Sequence, residues 1–272
     1  MLPGMTTIAI TGSASGIGAA TAERLAGSGH RVIGVDLRDA DVICDLGTRD
    51  GRARAVDEVV RLCDGNLDGL VTSAGIGGLT TSNGGPLVSI NYFGTVALLE
   101  GLRPALAASG QSAVVCLSSN SASCQPNWPI EIAQACLSGD EDRARQVADA
   151  HLSVLAYPAS KAAIAWYVRL NAPTPDWAGR GIRLNAIAPG LIETALTAGQ
   201  RADPVIGPAL EQFPIPRGVH GRPHEVAAVI DFMLSPAASL LYGTVVFADG
   251  GTDALLRARD WPSRWSLELP EA

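Results

Sequence analysis

The chain has 272 residues and a formal net charge of −7, from 20 Lys and Arg side chains against 27 Asp and Glu side chains. The length fits one large domain, and the acidic balance argues against nucleic acid and anionic membrane surfaces as partners. Hydrophobic residues make up 47% of the chain and charged residues 17%, which predicts a large buried core. Of the 20 basic residues, one is a lysine, Lys161.

The first ten residues lack the pattern of a secretory signal. Polar residues interrupt both long uncharged stretches, 70–99 and 104–130, so neither predicts a membrane span. The five cysteines are an odd number without a Cys-x-x-Cys pair, which argues against a disulfide framework. We therefore expect a cytoplasmic protein.

Short β-rich runs alternate with longer helical segments. The runs are nearly continuous apolar sequence, typical of strands covered on both faces, and lie at residues 7–10, 31–35, 70–72, 113–117, 183–187 and 245–247. Candidate helices lie near residues 17–27, 49–63, 86–108, 157–170 and 223–234. This order predicts an α/β fold of the Rossmann type, with a doubly wound, mostly parallel sheet of about seven strands and helices on both faces.

We expect a single domain over residues 1–272, because no linker divides the chain. Residues 120–156 predict a helical insertion with short helices at about 130–138 and 140–150. Residues 190–222 are rich in Pro, Gly and Ala, which is typical of a lid over the substrate. Residues 254–272 form a C-terminal tail, in which we expect Trp261 and Trp265 to lie at packing contacts or an interface.

The sequence Thr-Gly-Ser-Ala-Ser-Gly-Ile-Gly at residues 11–18 follows the first strand and opens the first helix. Glycines permit a tight turn with close backbone approach, and a helix N-terminus attracts phosphate. Asp36 ends the second strand, where a carboxylate accepts hydrogen bonds from the adenosine ribose and repels a 2′-phosphate. These features predict NAD(H) rather than NADP(H), although Arg38 lies close to Asp36.

Tyr157 and Lys161 are four positions apart, so they share one face of a helix. Pro158 is compatible with a helix only in its first turn, which predicts a helix that begins close to Tyr157. A nearby ammonium lowers the pKa of a phenol and makes tyrosine a usable proton carrier. The single lysine thus stands where a compact ammonium is needed and a planar guanidinium does not serve.

These motifs resemble the short-chain dehydrogenase/reductase family over residues 7 to about 253. Within the family they are most similar to the bacterial 3α-hydroxysteroid dehydrogenase/carbonyl reductase group. That similarity rests on the long separation of Ser119 from Tyr157, on Asn-Tyr-Phe-Gly at 91–94 and on Asp-Gly-Gly-Thr-Asp-Ala at 249–254. The resemblance implies a catalytic tetrad of Asn91, Ser119, Tyr157 and Lys161.

The resemblance also implies the residues that contact the dinucleotide. They are Gly12, Ser15, Gly16, Ile17, Gly18, Asp36, Leu37, Asp45, Leu46, Ala74, Gly75, Tyr157, Lys161, Pro189, Gly190, Ile192 and Thr194. The segment Thr-Ser-Ala-Gly at 72–75 departs from the family's usual Asn-Asn-Ala-Gly but keeps Ala74 and Gly75 for the cofactor.

The implied activity is hydride transfer between NAD(H) and a secondary alcohol or ketone, with a small, apolar, steroid-like substrate. In this scheme Ser119 orients the substrate oxygen, Tyr157 exchanges its proton, Lys161 holds the nicotinamide ribose and Asn91 positions a water. No metal is expected, because His220 and His224 lack an adjoining carboxylate ligand.

Three alternatives remain at this point. The substrate could be another hydrophobic secondary alcohol or a 3-oxoacyl thioester, or the protein could be a non-catalytic NAD-binding sensor. Members of the family usually form dimers or tetramers. Since the insertion at 120–156 would cover part of the surface used for assembly, we expect a homodimer.

Overall fold

A computed structural model describes residues 6–263. The strands of this range form one parallel sheet in the order β3-β2-β1-β4-β5-β6-β7. They are β1 (Thr7–Thr11), β2 (Arg31–Asp36), β3 (Val42–Ile43), β4 (Gly69–Thr72), β5 (Ser112–Leu117), β6 (Ile182–Pro189) and β7 (Val245–Ala248). The strand order reverses between β1 and β4, so a crevice opens there at the carboxyl ends of the strands. The predicted Rossmann-type fold is confirmed.

Twelve α-helices lie within residues 6–263, and they cover both faces of the sheet. They are α1 (Gly16–Gly27), α2 (Arg49–Leu62), α3 (Gly84–Val88), α4 (Gly94–Ser109), α5 (Ser121–Cys124), α6 (Ile130–Leu137), α7 (Glu141–Asp149), α8 (Ser153–Asn171), α9 (Ala195–Ala202), α10 (Ile206–Glu211), α11 (Pro223–Leu234) and α12 (Thr252–Arg257). Because strand side chains alternate in direction, Ile8 and Ile10 pack in the core under α1 and α11, whereas Ala9 packs in the core under α2, α4 and α8.

The helix predicted at 86–108 is interrupted. It consists of α3, a π-helical turn at Ser89–Phe93, and α4. A π turn holds one more residue than an α turn, which rotates the side chains before it relative to those after it. Asn91 lies in this turn, fully buried, and its carbonyl accepts a hydrogen bond from Thr95 Oγ1 at 2.8 Å.

The prediction that a helix begins close to Tyr157 is wrong, because α8 begins at Ser153 and contains Pro158 in its second turn. A proline has no N–H to donate to the carbonyl four residues earlier, which here belongs to Val154. Gln125 Nε2 donates to that carbonyl instead, at 2.9 Å. The insertion therefore supplies the hydrogen bond that the proline removes.

Both helices predicted in the insertion are present, as α6 and α7. They pack against α8 and α3, and Gly85 N donates to Asp149 Oδ1 at 2.8 Å. A Cβ at Gly84 would lie 2.5 Å from the carbonyl oxygen of Ala148, so α7 can approach α3 this closely only because the residue is glycine. The residues predicted as a lid include α9 and α10.

The remaining expectations concern the cysteines and the tail. All five cysteines are buried free thiols. Trp261 is exposed, and Trp265 lies outside the described residues. No helix within residues 6–263 combines the length and the apolar character that crossing a bilayer requires.

Candidate active site

A cleft of about 510 Å³ opens beyond the carboxyl ends of the central strands. It brings together the residues predicted from the sequence, with the exception of Gly18 and Asn91. Those lining it are Gly12, Ser15, Gly16, Ile17, Asp36, Leu37, Asp45, Leu46, Ala74, Gly75, Ser119, Tyr157, Lys161, Pro189, Gly190, Ile192 and Thr194. The cleft therefore joins segments that are up to 185 positions apart, from Gly12 to Thr197.

Gly12 and Gly18 shape the turn between β1 and α1. Gly12 has a positive φ of 70°, and a Cβ there would lie 2.8 Å from the backbone N of Ala74. A Cβ at Gly18 would lie 2.1 Å from the carbonyl oxygen of Gly12. Gly18 thus lies behind the turn and allows the helix to pack on it, while the first turn of α1 presents backbone N–H groups to the cleft.

The Asp36 carboxylate lies at the end of β2 beside this turn. Its Oδ2 accepts a hydrogen bond from Ala14 N at 2.9 Å and its Oδ1 accepts one from Leu37 N at 2.7 Å. These bonds fix a negative charge at the wall of the cleft. Arg38 also lines the cleft, with its side chain largely exposed.

Lys161 is buried at the floor of the cleft, with 6% of its surface exposed. Its Nζ donates to the carbonyl of Leu117 at 2.9 Å, at the end of β5. Burial lowers the pKa of Lys161 from 10.5 to about 8, since desolvation disfavours the charged form. Gly75 lies beside this ammonium, since a Cβ there would lie 3.6 Å from Nζ, an ordinary contact distance.

Tyr157 lies one helical turn before Lys161, and the Nζ of Lys161 is 5.8 Å from the centre of its ring. Burial raises the pKa of Tyr157, and the neighbouring Ser119 hydroxyl opposes this effect without cancelling it. The expected lowering of the Tyr157 pKa by the ammonium is therefore wrong for the protein alone. The reason is that desolvation of the phenolate is the largest effect on this pKa.

Asn91 lies behind the cleft wall. Its Oδ1 accepts a hydrogen bond from Ile76 N at 2.8 Å, and its Nδ2 donates to Ile76 O at 3.0 Å. A Cβ at Gly75 would lie 3.0 Å from Asn91 Oδ1. The side chain of Asn91 thus fixes the loop after β4, which carries Ala74, Gly75 and Ile76 along the cleft.

The other end of the cleft is formed by the segment that joins β6 to α9. Thr194 Oγ1 accepts from Thr197 N at 3.3 Å and so caps α9. A Cβ at Gly16 would lie 3.4 Å from Thr194 Cγ2, so Thr194 lies against the glycine turn. Leu196 and Ile76, the latter 41% exposed, give this end an apolar wall.

Sequence reasoning missed several residues that line the cleft. They are Ala14, Val35, Cys44, Ser73, Ile76, Ile90, Leu117, Ser118, Ala195, Leu196 and Thr197. Most are apolar or small side chains next to a predicted residue, and a local pattern does not separate them from core positions. Adjacency to the predicted contacts is the one signal that could have found them.

These residues fit a dinucleotide. The glycine-rich turn at the N-terminus of α1 suits a pyrophosphate, and the fixed charge of Asp36 suits ribose hydroxyls and disfavours a 2′-phosphate. The close packing of Gly12 against Ala74 leaves backbone rather than side chains at the centre of the cleft. Ser119, Tyr157 and Lys161 lie together in the same cleft, with Tyr157 beside the other two.

Comparisons with known proteins show which families and relatives this chain is similar to. The model of the NAD dependent epimerase/dehydratase family matches residues 8–187, and that of the enoyl-(acyl carrier protein) reductase family matches residues 142–253. The 3-alpha-hydroxysteroid dehydrogenase/carbonyl reductase of Comamonas testosteroni is 41% identical over 257 residues, covering 93% of this chain and 98% of that protein. The cis-4-hydroxycyclohexanecarboxylate dehydrogenase of Sinomonas cyclohexanicum is 32% identical, covering 90% of this chain and 96% of that protein.

A solved structure shows the same architecture. The crystal structure of the 3-alpha-hydroxysteroid dehydrogenase from Pseudomonas sp. B-0831 complexed with NADH has a TM-score of 0.90 and 48% sequence identity. The match covers 94% of this chain and all (100%) of that one. The protein in that crystal carries NADH, the dinucleotide class that the cleft of this chain fits.

Proposed function

The chain belongs to the short-chain dehydrogenase/reductase family, and we propose that it transfers a hydride between NAD(H) and a 3α-hydroxysteroid or 3-oxosteroid, or a related apolar carbonyl compound. The observation that carries this proposal is that Ser119, Tyr157 and Lys161 share one cleft with the glycine turn and Asp36. The hydroxysteroid dehydrogenases among its relatives and the apolar wall of Ile76 and Leu196 support the substrate class.

NAD(H), when bound, supplies the hydride acceptor or donor. The Ser119 hydroxyl donates a hydrogen bond to the substrate oxygen, and the Tyr157 hydroxyl gives or takes the proton of that oxygen. Lys161 holds a positive charge 5.8 Å from the Tyr157 ring and stabilises the phenolate as its proton leaves. Asn91 acts indirectly, because it fixes the loop that carries Gly75 beside Lys161.

The proposal is tested by NADH formation from NAD⁺ across 3α-, 3β- and 17β-hydroxysteroids and simple alcohols. We expect the highest kcat/KM with a 3α-hydroxysteroid. Preference for a simple secondary alcohol would contradict the substrate class alone. Failure on every alcohol, with NADH still bound, would contradict the activity and favour an NAD-binding sensor. Reduction of a 3-oxoacyl thioester in preference to 3-oxosteroids would favour the thioester alternative.

Asp36 is expected to set the preference for NAD⁺ over NADP⁺. Replacing Asp36 by Ala removes a fixed charge that repels a 2′-phosphate and leaves Arg38 to attract it. We expect the ratio of kcat/KM for NADP⁺ to that for NAD⁺ to rise by about 10²-fold, because a like-charge contact costs several kcal/mol. Steady-state kinetics with both cofactors measure this ratio. The double replacement of Asp36 and Arg38 by Ala is the control. It should raise the ratio of kcat/KM for NADP⁺ to that for NAD⁺ by less than Asp36→Ala does.

We further propose a homodimer, formed through the edge of the sheet at β7. Apolar side chains are exposed near this edge strand, namely Leu170, Phe232, Leu240, Tyr242 and Phe247. Leu240 is 93% exposed, an unfavourable position for a leucine unless another surface covers it. The insertion α5–α7 packs against α8 and α3, and its first helix α5 also contacts α12.

Leu240→Glu is expected to convert this dimer into monomers, because it places a charge in an apolar interface. Light scattering at micromolar concentration measures the change. Ile43→Glu is the matched control, since Ile43 is an exposed apolar residue in β3 at the opposite edge of the sheet. A parent protein that is already monomeric, or dissociation by Ile43→Glu alone, would contradict the assignment.

The buried free thiols support our proposal of a reducing, cytoplasmic location.

A further inference from the structure

Arg52 in α2 is a buried arginine, with 6% of its surface exposed. Its Nη1 and Nη2 donate to the two carboxylate oxygens of Glu141 in α7, each at 2.7 Å. Burial of the Glu141 carboxyl raises its pKa, but hydrogen bonds from Arg52 and Ser89 and the charges of Arg52 and Arg49 outweigh this, so the pKa is lowered. A two-bond ion pair therefore joins the core of the domain to the insertion.

The other donors of Arg52 reach backbone carbonyls of two separate segments. Nε donates to Leu46 O at 2.7 Å, and Nη2 donates to Gly47 O at 3.2 Å and to Ser89 O at 3.1 Å. Leu46 follows Asp45, and both line the cleft at the end that adjoins β2 and β3. Ser89 is the first residue of the π turn that contains Asn91.

A second contact from α7 reaches the same π turn. Arg145 Nη1 donates to Ser89 Oγ at 2.7 Å. Within the cleft wall, Gly47 N donates to Asp45 Oδ1 at 2.8 Å, so the orientation of the Asp45 carboxylate depends on the peptide groups that Arg52 holds. The insertion is thus connected, through one guanidinium, to the wall of the cleft.

We propose that Arg52, with Glu141 as its buried counter-ion, is a positioning residue for the adenosine half of the dinucleotide. The proposal rests on NAD(H) binding in the proposed function and assigns the insertion a part in it. The guanidinium fixes the Asp45–Leu46 wall, and Glu141 fixes the guanidinium. Neither residue touches the reacting atoms, so their loss weakens binding of the adenosine half and leaves the chemical step intact.

The test compares Arg52→Lys and Glu141→Gln with the parent. A lysine ammonium keeps the charge but lacks the planar fork that reaches both Glu141 and Leu46. Calorimetry measures Kd for NADH and for ADP-ribose, which contains the adenosine half without the nicotinamide. We expect both constants to rise by about tenfold in both variants, by the same factor for the two ligands, with kcat at saturating NAD⁺ within about twofold of the parent.

Asp142→Asn is the matched control, since Asp142 is an exposed acidic residue of α7 that pairs with Arg49 on the surface. It should leave both dissociation constants unchanged, and Glu141→Asp should restore part of the lost affinity because it keeps the counter-charge. Unchanged ADP-ribose binding in Glu141→Gln would overturn the proposal, as would a fall in kcat without a change in Kd. If the parent shows no turnover but the Kd for ADP-ribose still rises in Arg52→Lys and Glu141→Gln, the proposed function is contradicted and the positioning role is supported.

Discussion

The Tyr157→Phe variant is expected to lose about 10³-fold in kcat while its Kd for NADH stays within about twofold of the parent. The change removes the hydroxyl that exchanges a proton with the substrate oxygen and keeps the ring that lines the cleft. Steady-state kinetics give kcat, and quenching of tryptophan fluorescence gives Kd. Because burial raises the pKa of Tyr157, alcohol oxidation by the parent should also quicken toward alkaline pH.

Tyr167→Phe is the matched control. Tyr167 lies on the same helix, is also buried, and donates its hydroxyl hydrogen bond to Glu100 rather than facing the cleft. Its loss should lower stability and leave kcat within about threefold of the parent, since only an ordinary buried hydrogen bond is removed. Retained turnover in Tyr157→Phe would show that another group carries the proton.

Lys161→Met is expected to lower kcat/KM by at least about 10²-fold and, without NAD(H), to make the fold more stable at pH 7. The pKa of Lys161 is about 8 in the folded protein against 10.5 ordinarily, a difference equivalent to about 3 kcal/mol in favour of the unfolded state at pH 7. Methionine removes that cost, but it also removes the hydrogen-bond donor to the carbonyl of Leu117. The loss of this hydrogen bond lowers the stability of the variant by about 1 kcal/mol. We therefore expect a net gain of about 2 kcal/mol.

The pH dependence of this gain checks its cause. Between pH 8 and 10.5 the unfolded parent holds the proton that the folded parent has lost, so the stability of the parent rises with pH across this window. Lys161→Met lacks that rise, and its advantage shrinks toward pH 10.5. Urea unfolding at several pH values measures both effects. A methionine variant that is less stable than the parent at pH 7 would show that the ammonium stabilises the fold.

Lys161→Arg separates charge from shape at the same position. It keeps the positive charge, but a planar guanidinium is bulkier than the buried ammonium, whose Nζ lies 2.9 Å from the carbonyl oxygen of Leu117. Most of the activity should be lost. Normal activity in Lys161→Arg would mean that any cation serves at this position.

Much of the architecture could be predicted because it depends on short stretches of sequence. The apolar runs placed all six predicted strands within two residues of their bounds, and α11 was predicted at its observed limits. The turn at residues 11–18 was recognisable because its glycines and the following helix are adjacent in the chain. Asp36 and the pair Tyr157 and Lys161 likewise depend on spacing within one element, and they lie in the cleft.

The errors arose where distant residues decide the local structure. Pro158 appeared to require a helix start, because nothing nearby shows that Gln125 will bond the carbonyl of Val154. The π turn at Asn91 depends in the same way on contacts with Ile76 and on Arg52 bonding Ser89. Arg52 itself has the appearance of one more basic residue on an amphipathic helix. The burial of Arg52 cannot be predicted from nearby sequence, because it depends on the pairing of Arg52 with Glu141 of α7.

The use of arginine at every other basic position has a practical consequence for labelling the protein. Lys161 carries the chain's single side-chain primary amine, and that amine is buried at the floor of the cleft with a pKa of about 8. Surface lysines usually dominate the reaction of a protein with acylating or reductive-alkylating reagents, and this chain has none. The extent of side-chain modification by a small amine-reactive reagent therefore measures the accessibility of one atom, the Nζ of Lys161. Protection by a bound molecule becomes a direct assay of occupancy of the cleft, independent of turnover.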